Sequence, residues 1–272
     1  MTDFASDSDV VSGLASAQEF PIYKGSLTAV ASFYYSGWLE GGSPAAGVAP
    51  TTWATCTNTL LGAYNPNAVT KSPATARLLY GEIKQANAGQ TKYLVDRIGH
   101  MGGMSGTVTT AQSTGATGNT AAWAGTRCAS DYSDVLWFLE WYSATGSTAV
   151  NATCAITYND GTTGTATVIA LPASVPSSRM YQIMIPAGIA KFIKSVDSVT
   201  LSASTLTAGN FGVTAYRKIA AFSHALAYYP DQRDFASLGM NQVYDNSCLN
   251  AIYWTTAAST GITLGFLKVG AH

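Results

Sequence analysis

Asn151-Ala152-Thr153-Cys154-Ala155-Ile156-Thr157-Tyr158-Asn159-Asp160-Gly161-Thr162-Thr163-Gly164-Thr165-Ala166-Thr167-Val168-Ile169-Ala170-Leu171 is the stretch that decides the fold class. Cys154, Ile156 and Tyr158 share one face of an alternating run, and a second β-rich run follows. Between the two, Asn159-Asp160-Gly161-Thr162 contains an Asp-Gly step, which favours positive φ and therefore a tight hairpin. The reading is two antiparallel strands over 151–158 and 163–171.

The same signature spreads outward. Upstream, Val135, Trp137, Leu139 and Trp141 alternate with Leu136, Phe138, Glu140 and Tyr142, which predicts a strand with one fully apolar face. Downstream, Leu171-Pro172-Ala173-Ser174-Val175-Pro176 ends the hairpin, and further strands are predicted over 180–185, 195–204 and 211–219. Earlier, the runs 76–83 and 93–98 flank the turn-rich Asn87-Ala88-Gly89-Gln90 and read as another hairpin. Periodicity leaves Val30–Tyr35 open between strand and helix. Gly41–Pro50 and the Gly/Thr/Ser-rich stretch His100–Gly125 read as loops, the second as a long surface loop.

Short strands separated by turns define an all-β chain with a β-sandwich or jelly-roll-like core, long Gly/Thr-rich loops and extended N- and C-terminal arms. The expected division is an arm over 1–20, a core over 21–222 with a subdivision near 100–130, and a C-terminal arm or hairpin over 223–272. Asp-Phe-Ala-Ser occurs at both Asp3–Ser6 and Asp234–Ser237, but with unequal spacing to the text that follows each copy, so coincidence outweighs internal duplication.

Composition limits the partners. Charged residues make up 11% of the 272 residues and hydrophobic ones 47%, with net charge -1, against the roughly 25% charged residues of an ordinary soluble domain. There is no basic footprint for nucleic acid or anionic membrane. The N-terminus is acidic, with no apolar h-region and no run long enough to cross a bilayer, so a leader is not expected. A surface so poor in solubilising charge is expected to be covered by partner subunits. The neutral loops 41–50 and 101–125 are the informative part, because loops are where a free monomer keeps its charges.

Chemistry finds little purchase. Three histidines, His100, His224 and His272, lie near no serine-nucleophile elbow. Asp131, Asp134 and Glu140 form the densest acidic group before Asp231 and Asp234, but Asp131 and Asp134 read as turn residues, and Asp231-Gln232-Arg233-Asp234 as a turn or ion pair. No metal motif or phosphate loop is present, so no catalytic residue, metal or cofactor is assigned. The four cysteines have no CxxC spacing. Cys154 reads as an inert buried thiol, whereas Cys56 and Cys248, in segments that look extended and peripheral, are candidates for an inter-subunit disulfide. Trp137 and Trp141 belong to the core. Trp38, Trp53 and Trp123, in irregular Gly/Ala/Thr-rich segments, are the candidate interface aromatics. The sequon at Asn151 reads as incidental.

The text Lys194-Ser195-Val196-Asp197-Ser198-Val199-Thr200-Leu201-Ser202-Ala203-Ser204-Thr205-Leu206-Thr207-Ala208-Gly209-Asn210-Phe211-Gly212-Val213 resembles virion structural proteins of tailed bacteriophages, as does Leu171–Pro176. The resemblance covers about 34–219, with 234–239 more loosely. It implies a head-associated, non-enzymatic component that decorates or links capsid subunits. Expected partners are the major capsid protein and copies of itself in a homo-oligomer such as a trimer. The expected location is the virion capsid, after synthesis in the host cytoplasm, where the thiols begin reduced. The alternative is a receptor- or glycan-binding module of a tail fibre or spike.

Overall fold

The computed structural model describes residues 6–64 and 76–271, and within them it is nearly all β. Among the described residues, helices are confined to Asp7–Ala15 and Phe235–Leu238, with one 3-10 turn at Ala121–Trp123. The chain forms two compact units. One takes the described residues of Met1–Val48, Cys56–Asp96 and Ile219–His272; the other takes Ala49–Thr55 and Arg97–Lys218. The expected division into 1–20, 21–222 and 223–272 follows chain order, whereas the second unit is inserted into the first.

The first unit is a sandwich. Its five-stranded antiparallel sheet runs in the order Asp231–Asp234, Ala76–Gln85, Thr263–Ala271, Gln18–Lys24, Gly42–Ser43. The opposing layer places Leu249–Thr255 between Phe33–Ser36 and the first part of Gln90–His100. Ile22, Ile83, Leu267 and Val269 from the first sheet meet Leu94, Leu249, Ile219 and Phe222 in one buried core. Phe222 lies so close to the five-stranded sheet that a Cβ on Gly81 would sit 2.6 Å from its ring, so only glycine fits there.

Three expectations change in this unit. The runs 76–83 and 93–98 do not form a hairpin. The strands containing them belong to different layers, and the intervening turn is held by other strands: Ala86 N–H donates to Ile262 O and Gly89 N–H to His224 O. The segment expected as an N-terminal arm folds in, with Ser6 and Asp9 forming a capping box for the helix Asp7–Ala15, after which Gln18–Lys24 pairs on both edges. The C-terminal segment supplies two interior strands, one to each layer. An arm whose apolar residues alternate with polar ones gains more by joining the sheet of its own chain than by remaining in water.

The second unit contains the hairpin of 151–171. Val150–Tyr158 buries every second side chain and pairs with Thr163–Thr165, Ile169–Leu171 and Ile193–Leu201, with Gln112–Ser113 beyond. Its turn has Gly161 at φ 84°, and Asp160 Oδ1 accepts from the Thr162 amide at 3.0 Å and hydroxyl at 2.6 Å. The second strand is not continuous over 163–171. It breaks at Ala166–Val168, where Thr167 N–H leaves the hairpin to donate to Met184 O. The other layer places Val135–Trp141 between Arg179–Ile183 and Phe211–Arg217. The Trp137 indole crosses to donate to Ile193 O at 3.2 Å.

The loop expected on the surface at 101–125 is mostly exposed, including 107–111 and 117–119, and is anchored by buried Met104, Ala116 and Trp123. Gly41–Pro50 is likewise mostly exposed and leaves Val48 66% accessible.

Candidate functional site

Most side chains of the kinds that carry chemistry hold structural contacts. Glu140 and Arg97 form a fully buried pair in the second unit, with Arg97 Nη2 2.8 Å from Glu140 Oε2 and Nη1 3.2 Å from Oε1. Tyr216, Tyr142 and Thr214 accept from the same guanidinium. Thr214 also donates to Glu140 Oε2 at 2.5 Å. Arg97 Nε–H donates to His100 Nδ1 at 3.0 Å. Such a network, with every Arg97 nitrogen satisfied, specifies a core.

Asp131 is exposed, and its carboxyl is held below its usual range by the Ser133 side chain and amide. Asp134 accepts from the Ala129 amide at 2.8 Å, so the two aspartates act as turn residues. Asp231 holds Arg233 at 2.7 Å, and Asp234 caps the short helix Phe235–Leu238. His224 is buried, and desolvation lowers its pKa. His272 and Asp3 lie outside the described residues. Among the described residues, no three His, Cys, Asp or Glu side chains gather as a metal site.

Sequence reasoning missed a second buried polar cluster, in the first unit. Lys24 Nζ donates to Glu40 O and Pro44 O, both at 2.8 Å, tying the 37–44 loop to the strand Gln18–Lys24. The Tyr253 hydroxyl donates to Glu40 Oε2 at 2.6 Å, and Lys92 lies 4.9 Å from the Tyr253 ring centroid. Desolvation dominates here, raising Glu40 to about 7 and lowering Lys92 to about 7 and Lys24 to about 8. Lys24 and Lys92 are two of only 14 basic residues, and the alternation that buries each of them gives a sequence reader no sign that a lysine is the residue turned inward.

All four cysteines are buried, and none forms a disulfide. Burial raises the Cys154 thiol to about 12, as expected of an inert thiol. Cys56 and Cys248, expected at the periphery, are both at 0% exposure. A bridge to another subunit through either would require its segment to open. The tryptophans also move inward. Trp38 is 2% exposed, beneath Gly47 and Gly62, and its indole donates to Val48 O. Trp123 is 1% exposed and packs in tilted contact with Trp53 and Trp137 at centroid distances of 5.6 and 6.1 Å. Of Trp38, Trp53 and Trp123, only Trp53 keeps part of its surface in solvent. These residues are covered by their own chain because nearby glycines allow close approach.

The apolar surface that does face solvent lies elsewhere. In the second unit, Met184, Ile189 and Phe192 project from the uncharged loop Met184–Ala190 and its flank, with Val168 held beside Met184 by the Thr167 bond. In the first unit, Leu226, Tyr228 and Tyr229 are 63–67% exposed on one loop, with Tyr228 at φ 58°. The outer face of the five-stranded sheet adds Pro21, Tyr23, Leu264 and Phe266. Among the described residues, no helix is long and apolar enough to cross a membrane.

No protein-family model matches the chain, and no curated protein is similar to it. Among solved structures, it is 11% identical to infectious bursal virus derived T=1 particles at TM-score 0.19, covering 94% of this chain and 77% of that one. It is 10% identical to the infectious bursal disease virus VP2 subviral particle at TM-score 0.18, covering 94% and 79%. Scores this low carry no argument about fold or role.

Proposed function

We propose that the chain is a non-enzymatic virion structural protein that decorates or links capsid subunits and stabilises a phage head through subunit contacts. The carrying observation is the exposed surface. Two all-β units whose ionisable side chains are partly spent on interior pairs present contiguous apolar groups at 184–192, at 226–229 and on an open sheet face. Its partners in this reading are the major capsid protein and copies of itself, and its place is the virion. Co-sedimentation with preformed capsid shells tests the reading: saturable pelleting supports it, and protein that stays in the supernatant at every ratio removes it.

A second reading has one observation in its favour. Tyr228 and Tyr229 stand side by side in solvent, and Tyr228 holds a left-handed conformation that costs a non-glycine residue about 1–3 kcal/mol. Exposed aromatics are the usual platform for sugar rings, which fits a glycan-binding module of a fibre or spike. Glycan-array binding that vanishes in Tyr228→Ala/Tyr229→Ala would favour that reading over the first.

A further inference from the structure

The register of the five-stranded sheet in the first unit fixes which side chains share its solvent face. Across Gln18–Lys24, Thr263–Ala271 and Ala76–Gln85, the outward positions form three successive rows: Glu19, Lys268 and Tyr80; Pro21, Phe266 and Glu82; Tyr23, Leu264 and Lys84. The opposite face carries Ile22, Ile83 and Leu267 into the core. In the second and third rows the solvent face is therefore apolar on two adjacent strands and charged on the third, while the first row carries Glu19 and Lys268. Tyr23 is 48% and Leu264 40% exposed, Pro21 is exposed, and Phe266 is partly so.

Within these three rows the charges pair: Glu82 and Lys84 lie 3.1 Å apart, and Lys268 lies 3.9 Å from Glu19. Gln232 and Asp234 of the edge strand Asp231–Asp234 flank them, Gln232 bonded to Glu82 and Asp234 capping Phe235–Leu238. A partner surface that presents the same alternation of charge in the opposite direction is complementary to these rows. A two-fold axis running across the strands, midway between the second and third rows, supplies such a surface. It sets Phe266 over Leu264 of the second copy and Pro21 over its Tyr23. It also sets Glu82 over Lys84 and Lys84 over Glu82. Every contact is then made twice, as a closed isologous interface requires, and two sheets stacked about 10 Å apart bring these side chains into contact.

We infer that this outer sheet face is a self-association surface on which a second copy of the chain packs sheet to sheet about a two-fold axis between the Glu82 and Lys84 rows. The inference deepens the assembly reading and rests on it in taking like copies to meet. It places the contact on paired strands rather than on loops or arms.

Charge exchange tests it. Sedimentation equilibrium of the full chain is expected to show a dimer at micromolar concentration. Glu82→Lys alone places like charges across the axis and is expected to weaken the dimer about tenfold or more. Glu82→Lys/Lys84→Glu restores opposite charges across the axis and is expected to restore the dimer. Leu264→Lys is expected to give monomer, and the far-UV circular dichroism of each variant is expected to match the parent. A dimer indifferent to all three variants overturns the assignment of this face while leaving assembly intact. A parent chain that is monomeric yet pellets with capsid shells overturns the self-association and spares the capsid reading. A monomer that binds no shells overturns both.

Discussion

Replacing Glu140 with leucine should cost the second unit more than any surface change. The substitution leaves the Arg97 guanidinium at 0% exposure without the carboxylate that meets two of its nitrogens at 2.8 and 3.2 Å. Breaking a buried pair by removing one partner costs about 3–5 kcal/mol. Adding Arg97→Met removes the stranded charge and leaves hydroxyls to satisfy. Tyr142 and Thr214 can still bond each other at 3.2 Å, while the Tyr216 hydroxyl and buried His100 Nδ1 each lose the bond they accept from Arg97. One buried unsatisfied group costs about 1–3 kcal/mol, so the double variant should recover part of the loss. Urea unfolding followed by tryptophan fluorescence is the suitable assay, because Trp53, Trp123, Trp137 and Trp141 all lie in that unit. A loss below about 1 kcal/mol for Glu140→Leu, or a double variant no more stable than the single, would refute the role given to this pair.

Ellman's reagent should label none of the four thiols in the native chain at pH 8 and all four after unfolding; prompt labelling of Cys56 or Cys248 would contradict their burial. Lys92 is lowered from 10.5 to about 7, so the stability it contributes is full above 10.5 and falls away as pH drops to about 7. Glu40 is raised from 4.5 to about 7, so its contribution is full below 4.5 and falls away as pH climbs to about 7. Wild type relative to Glu40→Gln/Lys92→Met should thus be least stable near neutrality, and a flat difference in melting temperature from pH 5 to 9 would count against the cluster. Gly212→Ala places a Cβ 1.8 Å from Met101 O, a backbone atom that cannot swing aside, and should destabilise by about 1–3 kcal/mol or more in the same urea assay.

The fold class was readable because period-2 alternation is a local property: residues 135–141 and 150–158 form strands within a residue or two of where their apolar faces place them. Pairing was not local. The turn at 86–89 looks like a hairpin turn, yet its amides are satisfied by residues more than a hundred positions away, so the chain changes layer there. The arms failed for the same reason: nothing within 18–24 announces that its partner is 263–269. The interface aromatics failed differently. Trp38 and Trp123 lie in small-residue text that resembles loop, and small residues are what allow a chain to close over a large ring. The exposed sheet face could have been suspected from Glu19, Pro21 and Tyr23 and from Leu264, Phe266 and Lys268, two alternating triplets. Only the register shows that they stand side by side.

The most direct measurement is the salt dependence of binding to preformed capsid shells. An interface built from neutral loops and an apolar sheet face gains little from long-range charge, so the fraction of protein pelleting with shells should stay nearly constant as sodium chloride rises from about 0.05 to 1 M, where the screening length falls to roughly 3 Å. Absence of binding, or binding that disappears with added salt, would contradict the claim that this chain assembles through its charge-poor surface.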